Sequence, residues 1–309
     1  MRLNRREIVA AGAVALTGCS RQPAAAQLPT PAKGPMLTRP IPSSGEQIPV
    51  VGLGTWQAFD ITSGGGDWTL AREALQAFAD GGGKVVDSSP MYGRAEAAIG
   101  ALAADLQLRP QLFLATKVWT RGREAGVRQM EDSRRLLQAP VIDLMQVHNL
   151  LDLEAHMPTL AAWKAEGRIR YVGATHYTES GYDALEAAMR RHRLDFIQIN
   201  ASAAEREAEA RILPLARERG MAVLINRPFA GGDLFARLRR QPLPPWAAEI
   251  GAASWAQVLL KYVLADPAVT CAIPGTRNPR HVLDNLGAGS GALPDASMRR
   301  RILDAVAAA

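Results

Sequence analysis

An aspartate and a tyrosine, Asp87 and Tyr92, stand five residues apart in the stretch VVDSSPMYG. Two valines run straight into the acid. Two later stretches have the same form: LFLATKVW brings an apolar run to Lys117, and IDLMQVHNL brings one to His148. A phenol titrates near ~10, too high for easy proton transfer at neutral pH. An ammonium beside it favours the phenolate and lowers that value. A carboxylate beside the ammonium holds it in place and keeps it charged. An imidazole can donate a hydrogen bond to a carbonyl oxygen and orient a substrate. This set is equipped to reduce a carbonyl, with the tyrosine protonating oxygen as hydride reaches carbon. Singly, each residue has a structural use: Asp87 as a helix cap, Tyr92 as a wall aromatic, Lys117 as a snorkelling cation, His148 as a bonded core histidine. They make a site only if the fold gathers them.

The order of elements would gather them. From residue 49 onward, short β-branched runs alternate with amphipathic segments of helical length. Strands are expected at 50–53, 84–87, 112–117, 142–147, 169–173, 196–200, 222–226 and 270–273. Helices are expected at 69–79, 94–104, 126–137, 154–165, 182–191, 207–219 and 255–265. Eight strands alternating with helices over about 250 residues predict an α/β fold, a closed (β/α)8 TIM barrel. An open doubly wound sheet is the runner-up, and the absence of GxGxxG after the first strand counts against it. Residues 36–48 could close the barrel bottom as a hairpin, and 296–307 would form a tail helix. Active sites of this fold lie where strands end. Asp87, Lys117 and His148 end consecutive strands, so they would be neighbours.

These motifs together resemble the aldo-keto reductase family, over nearly all of residues 36 to 290. VVGLGTW resembles the family's first strand and loop, VVDSSPMYG its Asp-Tyr motif, ATKVW its lysine segment and DLMQVHNL its histidine segment. GRIRYVGATHYTES resembles the fifth strand, and AIPGTRNPRHVLDNL the last strand and cofactor helix. The resemblance implies an NADP(H)-dependent reductase of a small aldehyde or ketone, with NAD(H) as the alternative cofactor. It implies Tyr92 as acid/base, Lys117 and Asp87 as its tuners and His148 as substrate orienter. Gly54, Thr55 and Trp56 would lie against the nicotinamide end and the pocket mouth, where Trp56 and Trp119 flank the substrate. Gln198 and the pair Thr175-His176 would face the carboxamide. Asn226, Arg227 and Phe229 would border the nicotinamide. Gly275 and Thr276, with Arg277 or Arg280, would meet the adenosine phosphates, and Asn285 the adenine. Guanidinium groups suit a 2′-phosphate because they fork onto its oxygens.

Three positions depart from the common family pattern. Thr175-His176 stands where many members have Ser-Asn. Asn226 stands where many stack a tyrosine, and Gly275 where many place a lysine. All three bear on cofactor affinity rather than on the proton chemistry. The loops after Trp56 and Trp119, with 230–246, would shape an apolar substrate pocket. A rival of another class is a cofactor-binding sensor that uses the same barrel without turnover.

The chain has 309 residues, 48% hydrophobic and 21% charged, with a formal net charge of +6. The basic residues are scattered along helices, with no stripe interleaved with aromatics, which argues against a nucleic-acid partner. Neither cysteine, Cys19 or Cys271, stands in zinc or CxxC spacing, and no metal site is expected. The N-terminus MRLNRREIVAAGAVALTGCS carries Arg5 and Arg6 before a short apolar run. It reads as an export signal resembling the twin-arginine type. LTGC resembles a lipobox that would place a lipid anchor on Cys19, with cleavage before Gln27 as the rival. The expected organisation is a signal at 1–26, a linker at 27–35 and the barrel at 36–309. The product would be a periplasmic or membrane-anchored monomer, delivered by the twin-arginine export machinery.

Overall fold

The computed structural model describes residues 34–309. The leader, and all of the linker but its last two residues, lie outside the described residues. The described chain opens with an antiparallel hairpin, β1 (Thr38–Pro40) and β2 (Gln47–Pro49). Strand and helix then alternate through β3 (Leu53–Gly54), α1 (Gly66–Asp80), β4 (Val85–Asp87), α2 (Ala95–Asp105), β5 (Phe113–Val118) and α3 (Arg123–Leu136). They continue through β6 (Ile142–Val147), α4 (Leu153–Ala165), β7 (Ile169–Thr175), α5 (Tyr182–Arg191) and β8 (Phe196–Asn200). The last third contains α6 (Glu207–Ala210), α7 (Ile212–Glu218), β9 (Ala222–Asn226), α8 (Asp233–Leu238), α9 (Trp255–Leu264) and β10 (Cys271–Ala272). Helices α10 (Pro279–Gly287) and α11 (Ala296–Ala307) follow.

Strands β3 to β10 pair in chain order as one parallel sheet. Two parallel bridges, Val51 to Ala272 and Gly54 to Gly275, join its first and last edges. The (β/α)8 TIM barrel read from the sequence is therefore the fold. The edges meet closely at the seam. A Cβ on Gly54 would lie 2.7 Å from the Ile273 carbonyl oxygen, so only glycine lets the two strands approach.

Side chains alternate across each strand, and the alternation divides the apolar residues into two cores. Val85, Phe113, Leu144, Tyr171, Phe196, Leu224 and Cys271 fill the barrel interior. Their neighbours Val86, Leu114, Met145, Val172, Ile197 and Val223 belong to the larger core shared with the helices. Ile41 and Ile48 of the hairpin segment complete the inner cluster. The Arg39 guanidinium ties the hairpin to the C-terminal end of α9 and the residues just past it, donating to the carbonyls of Leu264 at 2.6 Å and Asp266 at 2.8 Å.

The structure differs from the sequence expectation locally, as where α8 forms within the segment 230–246. The helix expected at 207–219 is two short helices, α6 and α7. Pro214 lacks an N–H, and its ring crowds the carbonyl four residues back, on Ala210, where α6 ends. The first and last barrel strands are only two residues long, because the seam is made by isolated bridges. Strand β7 runs on to Thr175, so that residue lies in the barrel wall rather than in a loop.

Candidate active site

The inward face of β4, β5, β6 and β8 is apolar below and polar at its last turn. Register sets Asp87 beside Ala115, and Lys117 beside Gln146. The Lys117 ammonium donates to Asp87 Oδ2 at 2.6 Å and to the Ser88 carbonyl at 2.6 Å. The other carboxylate oxygen, Asp87 Oδ1, accepts from the amides of Gln198 at 2.8 Å and Gln146 at 3.2 Å. All four side chains are buried. An ion pair withdrawn from water needs such extra hydrogen bonds to satisfy its remaining lone pairs.

Tyr92 and His148 lie above this layer. The turn after β4 is closed by the Tyr92 N–H donating to the Ser89 carbonyl at 3.0 Å. Gly93 follows at φ 62, and a Cβ there would collide with the Asp60 carboxylate. That carboxylate instead accepts from the Arg94 N–H at 3.1 Å and its side chain at 2.9 Å, linking this loop to the one after β3. Lys117 Nζ lies 4.9 Å from the Tyr92 ring centroid. The Tyr92 and His148 rings meet edge to face at 5.8 Å, and the Trp119 and His148 rings stand 6.3 Å apart. The structure thus brings the four sequence-predicted chemical groups to one mouth. Trp56 and Trp119 are exposed at their loops.

The electrostatics refine the sequence expectation. Burial pushes the Tyr92 phenol above its ordinary value, while the Lys117 charge pulls it down and the Asp87 charge pushes it up. The net shift is upward, opposite to the lowering expected from Lys117 alone, because the phenol is also withdrawn from water. Lys117 is pushed up. Burial opposes its charge, and the charges and hydrogen bonds of Asp87 and Tyr92 outweigh that opposition. His148 is pushed down to about 2, first by burial, then by the Lys117 charge and by His176. Its imidazole is therefore neutral throughout the ordinary pH range.

A cleft of about 420 Å³ lies over the barrel seam, between the loops after β3 and β10. Trp56, Gln57, Gly275, Thr276 and Arg277 are among its walls. Arg277 donates to Asp67 Oδ1 at 3.1 Å. Arg280 lies in the first turn of α10, where its N–H is capped by the Asn278 side chain at 3.0 Å. Asn285 is buried on the same helix. Thr55 donates its hydroxyl to the Asp87 carbonyl at 3.0 Å.

A family model described as "Aldo/keto reductase family" matches residues 50–305. The chain belongs to the aldo/keto reductase family. Among curated proteins it is similar to the aldo-keto reductase YhdN of Bacillus subtilis, 28% identical over 65% of this chain. That match spans 64% of the Bacillus protein's length, just under two thirds. It is also 28% identical to the methylglyoxal reductase YeaE of Escherichia coli, over 81% of this chain and 89% of that protein. Among solved structures it is similar to an aldo/keto reductase from Klebsiella pneumoniae in complex with NADP and acetate. That likeness has a TM-score of 0.68 at 25% identity, covering 85% of this chain and 92% of the other.

The positions that depart from the aldo/keto reductase pattern have defined surroundings. Thr175 is buried, and its hydroxyl accepts from the Asn149 N–H at 3.2 Å. His176 turns its Nδ1 toward the Thr178 carbonyl at 3.1 Å and stacks on Tyr177. Asn226 takes the place beside Gln198, donating to Gln198 Oε1 at 3.4 Å and to the His176 carbonyl at 3.1 Å. Arg227 pairs with Glu205 at 3.1 Å, and Phe229 packs on Phe235 with ring centroids 4.6 Å apart. Sequence reasoning missed Gln146 and Ser89. Gln146 was open to it, since it precedes His148 by two residues and so shares its strand face.

Proposed function

We propose that this aldo/keto reductase uses NADP(H) to reduce an aldehyde or ketone to an alcohol. The observation that carries the reading is the buried Lys117–Asp87 ion pair directly below Tyr92 and His148. The NADP complex of the Klebsiella relative supports the choice of cofactor.

The residues present fit that cofactor. Gly275 leaves the cleft floor without a side chain, and Arg277 stands at its edge to meet a phosphate. The Asn226 side-chain oxygen is buried without a hydrogen-bond partner among the described residues, and it suits a carboxamide N–H. Thr276 and Asn285 would hold the adenosine end, and Gly54, Thr55 and Trp56 the nicotinamide end.

When bound, the nicotinamide supplies hydride. The chain supplies the proton and its control. Tyr92 stays protonated through the neutral range and gives its proton to the carbonyl oxygen. Lys117, held by Asp87, stabilises the phenolate that remains. Neutral His148 orients the carbonyl with an N–H and carries no competing charge. Trp56 and Trp119 flank the mouth and favour an apolar or aromatic carbonyl.

The leader extends the proposal: the protein acts as a periplasmic or membrane-anchored monomer after twin-arginine export. Mass spectrometry of the mature N-terminus distinguishes a lipidated Cys19 from cleavage before Gln27. An unprocessed N-terminus in the native host contradicts export. The catalytic reading is tested by titrating NADPH and NADH through cofactor fluorescence, then following turnover of an aromatic aldehyde. Binding with turnover is expected. Tight binding without turnover of any carbonyl favours the sensor.

A further inference from the structure

Ser89 lies inside the Asp-Tyr motif, two residues after Asp87. It is fully buried, and its hydroxyl lies 3.0 Å from His148 Nδ1. The same oxygen accepts the Met91 N–H at 3.4 Å. Two proton arrangements satisfy the first contact. In one, the serine O–H donates to Nδ1 and the imidazole carries its proton on Nε2. In the other, Nδ1–H donates to the serine oxygen. The oxygen would then accept twice, and its own hydrogen would need another acceptor. Among the described residues the hydroxyl has no other acceptor. The second arrangement therefore strands a buried hydroxyl hydrogen, which folded proteins avoid. It would also turn the lone pair of Nε2 toward an incoming carbonyl oxygen, acceptor against acceptor.

We propose that Ser89 is a positioning residue that fixes His148 in the tautomer with its proton on Nε2, ready to donate to the substrate oxygen. This rests on the reading of the mouth as a carbonyl-reducing site. A neutral imidazole has one donor and one acceptor nitrogen, so the partner of one ring nitrogen decides the role of the other. His148 is neutral across the working pH range, so this choice persists through it. Nε2 has no hydrogen-bond partner among the described residues, which leaves it to the substrate.

The test uses protein labelled with ¹⁵N-histidine, with His148→Gln identifying the His148 signals. Long-range ¹H–¹⁵N spectra of the wild type are expected to show a pyridine-type Nδ1 and a protonated Nε2. In Ser89→Ala the His148 nitrogens should move toward the averaged shifts of a mixed tautomer, and Ser89→Thr should restore them. In turnover, Ser89→Ala should lower kcat for carbonyl reduction by about tenfold or more, with NADPH affinity unchanged. A wild-type His148 protonated on Nδ1 overturns the proposal. So does a Ser89→Ala variant whose His148 signals and kcat match the wild type. The spectra are recorded without substrate, so they decide the tautomer whether or not any carbonyl is turned over.

Discussion

Both oxygens of the Asp87 carboxylate are bonded, one to the Lys117 ammonium and one to two glutamine amides. Its charge is thus fixed in place, and it acts on Tyr92 only through Lys117 and through space. Burial gives Tyr92 a raised value, so the acid form is the resting form. The sign for reduction follows: activity is full below the raised value and is lost as pH rises through it. The profile of kcat against pH at saturating substrate should be flat through neutrality and fall only on the alkaline side, above ~10. A fall centred near neutrality would contradict this. No acid limb should come from His148, already neutral down to about 2. The identities of these groups were legible in the sequence because Asp87, Lys117 and His148 stand at or just past the ends of apolar strands and Tyr92 follows in the turn after β4. The direction of the Tyr92 shift was not. It depends on how deeply the ring sits, and spacing along a chain carries no depth. The role of Ser89 was hidden for a similar reason: its partner lies 59 residues away.

The barrel strands were legible as elements because β-branched runs of four to six residues have few other uses. Their ends were less so. The seam between β3 and β10 is two isolated bridges, and no propensity marks a bridge. Gly54 bears on that seam more directly than its expected place beside a cofactor. Gly54→Ala would press a methyl group against the Ile273 carbonyl at 2.7 Å. The strands must part, and the variant should lose about 1–3 kcal/mol in urea unfolding. Unchanged stability would mean that the seam is loose. The split between α6 and α7 was readable in hindsight from Pro214. The amphipathic pattern across 207–219 concealed it, because the apolar face continues through the break.

At the scale of the whole molecule, one strand period creates two cores and a polar layer that caps the inner one. Residues far apart in sequence therefore meet at a single mouth. The cleft beside that mouth is walled from both ends of the chain, by Trp56 and Gln57 near the start and by Gly275 to Asn278 near the end. Arg277, on its wall, pairs with Asp67. Arg277→Ala should weaken NADPH binding about tenfold and leave NADH nearly unchanged, because the guanidinium is to meet the 2′-phosphate. Equal losses for both cofactors would assign Arg277 to the loop alone. The proposed delivery of the proton by Tyr92 during carbonyl reduction is tested by single-turnover kinetics. Protein is mixed with NADPH and an aromatic aldehyde, and oxidation of the cofactor is followed in a single turnover for the wild type and for Tyr92→Phe. The variant should bind NADPH as the wild type does and lose hydride transfer by a factor on the order of 10² or more. Hydride transfer at the wild-type rate in Tyr92→Phe would contradict proton delivery by Tyr92.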